Sequence, residues 1–67
     1  MEKEKRFNEG DVVRIKATTK IGVVTYAEKQ YAGDYLYHIR VLLETQWSMA
    51  FVVLQCRDWE LEPSEDV

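Results

Sequence analysis

Turn-forming clusters recur along this chain about every 8–12 residues, leaving no stretch between them for a sustained helical pattern. The clusters are Asn8-Glu9-Gly10-Asp11, Thr18-Thr19-Lys20, Ala32-Gly33-Asp34, Glu44-Thr45-Gln46 and Arg57-Asp58. Asn and Gly accept positive φ, and Asp and Thr side chains bond nearby backbone, so these are chemically specified turns. What lies between them is rich in β-branched and aromatic residues. The expectation is a small all-β domain.

Each run has its own pattern. Residues 12–17 alternate, with Val13 and Ile15 on one face and Arg14 and Lys16 on the other, the period of a half-buried strand. Residues 21–26 are β-branched, and Gly22 inside them signals a bulge or a sharp bend. Over residues 35–43, Tyr35, Tyr37, Ile39, Val41 and Leu43 oppose Leu36, His38, Arg40 and Leu42. The run 47–55 is apolar on both faces, Trp47, Met49, Phe51 and Val53 against Ala50, Val52 and Leu54. Ala and Leu make a helix the competing reading for 48–56, whereas Phe51-Val52-Val53 favours a strand. Residues 59–62 alternate as a last short strand, and Pro63 stops it. Residues 1–6 read as a flexible charged arm, 7–63 as the folded unit and 64–67 as a disordered tail. Five short strands of this kind form a barrel or sandwich, and closing the sheet removes exposed edges.

The order Phe7-x-x-Gly10-Asp11-x-Val13-Arg14-Ile15, then Gly22-Val23-Val24, then Tyr37-x-Ile39-x-Val41, and finally Trp59-Glu60-Leu61-Glu62-Pro63 resembles the SH3-like small-barrel superfamily. It is similar to KOW and Tudor-type modules and to small SH3-like accessory subunits. The resemblance covers residues 7–63 and implies a five-stranded SH3-like barrel. Its residues serve turns and core, so it carries fold rather than function. Where a KOW motif continues into a basic loop, this chain has Lys29-Gln30-Tyr31-Ala32-Gly33-Asp34.

A chain of 67 residues buries only about 60% of its unfolded surface, so it depends on dense packing or on association. Cys56 is the single cysteine, which excludes a disulfide within the monomer. With His38 it makes up the whole set of soft ligands, too few for structural zinc, and neither metal nor cofactor is expected. The net charge of −3 and a pI near 5.0 count against a phosphate-binding protein. The charged N-terminus is not a signal peptide, no apolar run approaches a membrane span, and a free cysteine suits a reducing compartment. The expected location is the cytoplasm.

Acid–base or nucleophilic catalysis needs at least two groups within hydrogen-bond reach. One His, one Cys, two Ser and no phosphate-binding glycine loop do not supply a recognisable set, so no enzymatic activity is expected. Asp58, Glu60 and Glu62 pair only by count and read as a solvated face. The eight aromatics are more informative. A barrel this small encloses few large side chains, and Val13, Ile15, Val23, Ile39, Val41 and Val53 already compete for its interior. Surplus Tyr, Trp and Phe at the surface are rigid contact area at low entropy cost. Tyr26, Tyr31, Tyr35, Trp47 and Phe51 are therefore the candidate partner-binding residues, for another protein or for a second copy in a homodimer. A face bearing Ala50, Val52 and Leu54 does not belong in water, so either the N-terminal arm covers it or it is a subunit interface, and association is the favoured reading. The rival reading is nucleic-acid binding through Arg14, Lys16, Lys20 and Arg40, with tyrosines stacking on bases.

Overall fold

The structure, a computed structural model, describes residues 5–64. The proposed arm lies partly, and the proposed tail largely, outside that range. The Asn8–Asp11 turn forms as its chemistry dictates. Asp11 N–H bonds the Asn8 carbonyl at 3.0 Å, the Asn8 N–H bonds Asp11 Oδ2 at 2.8 Å, and Gly10 takes φ 93°. It delivers the chain into strand β1, Val12–Ile15, whose Val13 and Ile15 are buried. This strand stops short of the expected residue 17. The Ile15 carbonyl is taken by the Thr18 and Thr19 amides, at 3.2 and 2.7 Å, and Thr19 closes the turn at φ 59°.

Strand β2, Ile21–Lys29, is longer than residues 21–26 because it pairs along most of β3, Tyr35–Glu44. The irregularity expected at Gly22 falls instead between Val24 and Tyr26, where the β2–β3 register shifts by one residue. Thr25 is the extra residue, and its hydroxyl bonds the His38 carbonyl at 3.1 Å. Gly22 pairs regularly with Val13 and Val41 and serves close approach. A Cβ there lies 2.5 Å from Ile39 Cγ2 and 2.9 Å from the Arg40 carbonyl oxygen.

The fourth run is a strand, not a helix: β4, Met49–Arg57, pairs with β3 without a break from Glu44↔Met49 to Leu36↔Arg57. Trp47 belongs to the preceding turn. There the Thr45 hydroxyl oxygen accepts the Trp47 and Ser48 amides at 3.2 and 3.0 Å. A single 3₁₀ turn, Asp58–Glu60, follows, with the Arg57 amide bonded to Glu60 Oε1 at 2.8 Å. It absorbs Trp59 and Glu60, which the alternation had assigned to the last strand. That strand, β5, is Leu61–Pro63, and Pro63 lies within it opposite Val13. Proline is tolerated there because β5 is an edge strand.

The five antiparallel strands form one sheet in the order β4-β3-β2-β1-β5, with β4 and β5 as its ends. The molecule measures 47 × 23 × 20 Å. Its radius of gyration is 12.5 Å, against roughly 11 Å for a compact chain of this length. The core holds Phe7, Val13, Ile15, Val24, Tyr37, Ile39, Val41, Cys56 and Leu61. Tyr37 anchors the entering chain: its hydroxyl oxygen accepts the Arg6 and Phe7 amides at 2.8 and 3.3 Å. Its ring meets Phe7 edge-on at 5.4 Å. Two expectations for the interior reverse. Val24 rather than Val23 points inward, and Val53 is 57% exposed.

Candidate outward apolar face

Register decides which side chains share a face. Tyr37, Ile39, Val41 and Leu43 pair with Cys56, Leu54, Val52 and Ala50, so these β4 residues lie on the core side. The face bearing Ala50, Val52 and Leu54 is thus the core side of the sheet, where Val52 is half-buried while Ala50 and Leu54 stay exposed. The outward side of β4 carries Met49, Phe51, Val53 and Gln55, opposite Glu44, Leu42, Arg40 and His38. In β2, Val23 pairs with Arg40, while Ile21 lies one step beyond the Gly22↔Val41 pair and so alongside Leu42. After the Thr25 bulge, Tyr26 pairs with His38 on this same side.

The result is an apolar surface across three adjacent strands. Ile21, Val23, Tyr26, Leu42, Met49, Phe51 and Val53 are all exposed, Met49 at 65% and Phe51 at 58%. Together they present on the order of 600 Å² of side-chain surface, the upper end of what a monomer's largest patch usually shows. One cation stands inside it. The Arg40 guanidinium lies 4.0 Å from the Phe51 ring centroid, flanked in register by Val23 and Val53. At the rim the Tyr26 and His38 rings are 5.4 Å apart, and His38 Nε2 is 3.1 Å from Glu28 Oε1.

The five candidate aromatics are not one cluster. Tyr26 and Phe51 belong to this face. Tyr31 is fully exposed in the β2–β3 turn, and Trp47, 86% exposed, stands in the β3–β4 turn at the opposite end of the hairpin. Tyr35 is half-buried beside Tyr37, their ring centroids 6.3 Å apart. Ile21, Val23 and Leu42 complete the face and were not singled out from sequence, whereas Met49 and Val53 lie in the apolar run 47–54 read there as an association surface. The signal available was the apolar alternation of Ile21-x-Val23 and of Met49-x-Phe51-x-Val53.

The candidate cations divide. Lys16 and Lys20 are exposed on the β1–β2 turn near Arg14. Arg14 Nε lies 3.0 Å from Glu62 Oε1, an ion pair without hydrogen-bond alignment. Arg40 sits two strands away among apolar side chains. Cys56 is buried, and desolvation, helped by the nearby Glu60 charge, pushes its thiol pKa up. Among the described residues no group of three or more His, Cys, Asp or Glu is placed to hold a metal ion. No helix among them is long and apolar enough to cross a membrane.

No protein-family model matches this chain, and no curated protein or solved structure matches it either.

Proposed function

We propose that this chain is a non-enzymatic protein-docking module with an SH3-like architecture. It acts as an interaction domain or small accessory subunit and binds its partner on the outward face of β2, β3 and β4. The architectural part is supported by the strand order β4-β3-β2-β1-β5 and by the 3₁₀ turn leading into a short last strand paired with the first. One observation carries the functional part: seven exposed apolar side chains are continuous across three strands, with Arg40 inside them. Such surfaces of several hundred Å² mark interaction sites. The chemistry selects a partner protein that presents apolar side chains around a carboxylate able to reach Arg40.

The test is affinity capture with wild type and with the double variant Val23→Asp, Leu42→Asp. Both sites are solvent-facing, so far-UV circular dichroism should be unchanged. The reading predicts a protein retained by wild type in about 0.1 M and about 0.5 M salt and lost by the variant, because apolar contacts are not screened. Retention of nucleic acid that falls steeply with salt, and is abolished by Arg14→Glu with Lys16→Glu, replaces this reading by the nucleic-acid one.

A further inference from the structure

We infer that β4, a sheet edge unguarded among the described residues, is where two copies of this chain pair, antiparallel and about a two-fold axis at Val52. This goes beyond the docking face, which lies on the sheet's surface rather than at its rim.

The β4 edge is long and regular, and Arg57 at its end is its one charged residue. It runs nine residues without a bulge, and from Met49 to Gln55 it carries no charged residue and no proline. Natural edge strands are normally blunted by lysine, proline, bulges or brevity. The other end of the sheet has such protection, since β5 is three residues long and ends in Pro63. A β4-to-β5 contact, which repeats without closing, is thereby disfavoured, and β4 against β4 closes on itself.

The phase of the ladder fixes which groups are free. The Thr45 amide bonds the Ser48 carbonyl at 2.8 Å, so 45 and 48 form a bonded pair. Bonded pairs alternate along an antiparallel ladder, so Ala50, Val52, Leu54 and Cys56 bond β3. The N–H and C=O groups of Met49, Phe51, Val53 and Gln55 then point to the open side. A two-fold at Val52 matches Phe51 with Val53 of the second copy and Met49 with its Gln55. All four outward residues are bonded in each copy. Leu54, 38% exposed on the core side, meets Ala50 of the second copy.

Self-pairing brings no like charges together along this edge. Trp47, Met49, Phe51, Val53 and Leu54 expose on the order of 600 Å² per copy, of which pairing at the rim covers only part, well below the roughly 800 Å² buried per partner in a standard interface. The dimer is therefore a reversible one, its mass dependent on concentration.

Sedimentation equilibrium of the full chain across a concentration series, paired with two variants, tests this. Wild type is expected to approach twice its 7.9 kDa mass, in low and high salt alike. Val53→Pro removes an outward N–H and no bond to β3, so it leaves the fold intact and weakens the dimer at least about tenfold. Val52→Cys faces itself across the axis at about 4.5 Å between Cα atoms, within disulfide reach, and gives a cross-linked dimer with diamide. Wild type treated likewise gives none. The cross-link decides the matter even if the proline variant fails to fold. A wild-type monomer at every concentration, or a dimer that Val52→Cys does not cross-link, overturns the inference. A monomer that still captures a partner protein removes the dimer and leaves the docking reading standing, whereas loss of capture in Val23→Asp, Leu42→Asp bears only on the latter.

Discussion

Removing one oxygen atom, by Tyr37→Phe, isolates how the chain entering β1 is held. The ring is retained, so the 5.4 Å edge-on contact with Phe7 survives and the core volume is nearly unchanged. Two acceptor contacts are lost. The Arg6 amide, bonded at 2.8 Å, is partly exposed and regains water, so its loss costs about the net 0.5–1.5 kcal/mol of an ordinary hydrogen bond. The Phe7 amide, at 3.3 Å, is buried and stays unpaired, a penalty of about 1–3 kcal/mol discounted for the length of the bond. The expected total is about 2 kcal/mol, a large share of the roughly 3–5 kcal/mol that a core of this size supplies. Urea denaturation at one fixed protein concentration, followed by tryptophan fluorescence, reads it directly. With a slope near 1 kcal/mol/M the midpoint should fall by about 2 M. Tyr35→Phe is the control, because that hydroxyl forms no hydrogen bond among the described residues, and it should move the midpoint by less than about 0.5 M. A Tyr37→Phe shift as small as the control's refutes the reasoning, and residues 6–7 are then held by Phe7 packing alone.

Further outcomes follow from the same geometry. Gly22→Ala should destabilise by about 1–3 kcal/mol or more in the same denaturation experiment, since the backbone oxygen of Arg40 is one of the atoms in the way. Cys56 should resist alkylation in the folded state at neutral pH and react fully once denatured, as mass spectrometry can follow. Its raised thiol pKa means that the unfolded chain loses this proton first. Stability should hold below the thiol's ordinary range and decline as pH rises through it, with that slope absent in Cys56→Ala. Trp47→Ala, at an 86% exposed turn position, should change monomer stability by less than about 0.5 kcal/mol while removing much of the tryptophan signal.

Alternation was informative wherever one face of a strand is buried and the other is not. Val13 and Ile15 in β1, and Tyr37, Ile39 and Val41 in β3, lie inside as the pattern dictated. It was uninformative where both phases are apolar. In β4 either set satisfies the hydrophobic pattern, and only pairing with β3 selects Val52, Leu54 and Cys56 for the core side. In β2 the adjacent Val23 and Val24 leave the same ambiguity, resolved by Val24 packing into the core. The bulge at Thr25 has no glycine to announce it, and Gly22 drew attention because close approach and bulging select the same residue. For the candidate site, the surplus of aromatics was visible in composition, but their arrangement was not. Tyr26 and Phe51 share a face with aliphatic residues that become a patch only through register, whereas Tyr31 and Trp47 occupy turns at opposite ends of the hairpin.

The proposed dimer requires β4 to be an open, pairing-competent edge, and amide hydrogen exchange by NMR tests this residue by residue. Spectra of wild type at high concentration should show the Met49, Phe51, Val53 and Gln55 amides protected alongside those of Val52 and Leu54. In Val53→Pro the Met49, Phe51 and Gln55 amides should exchange rapidly while Val52 and Leu54 stay slow. Exchange of the Phe51 and Val53 amides in wild type as fast as that of the exposed Tyr31, at every concentration, would contradict the account.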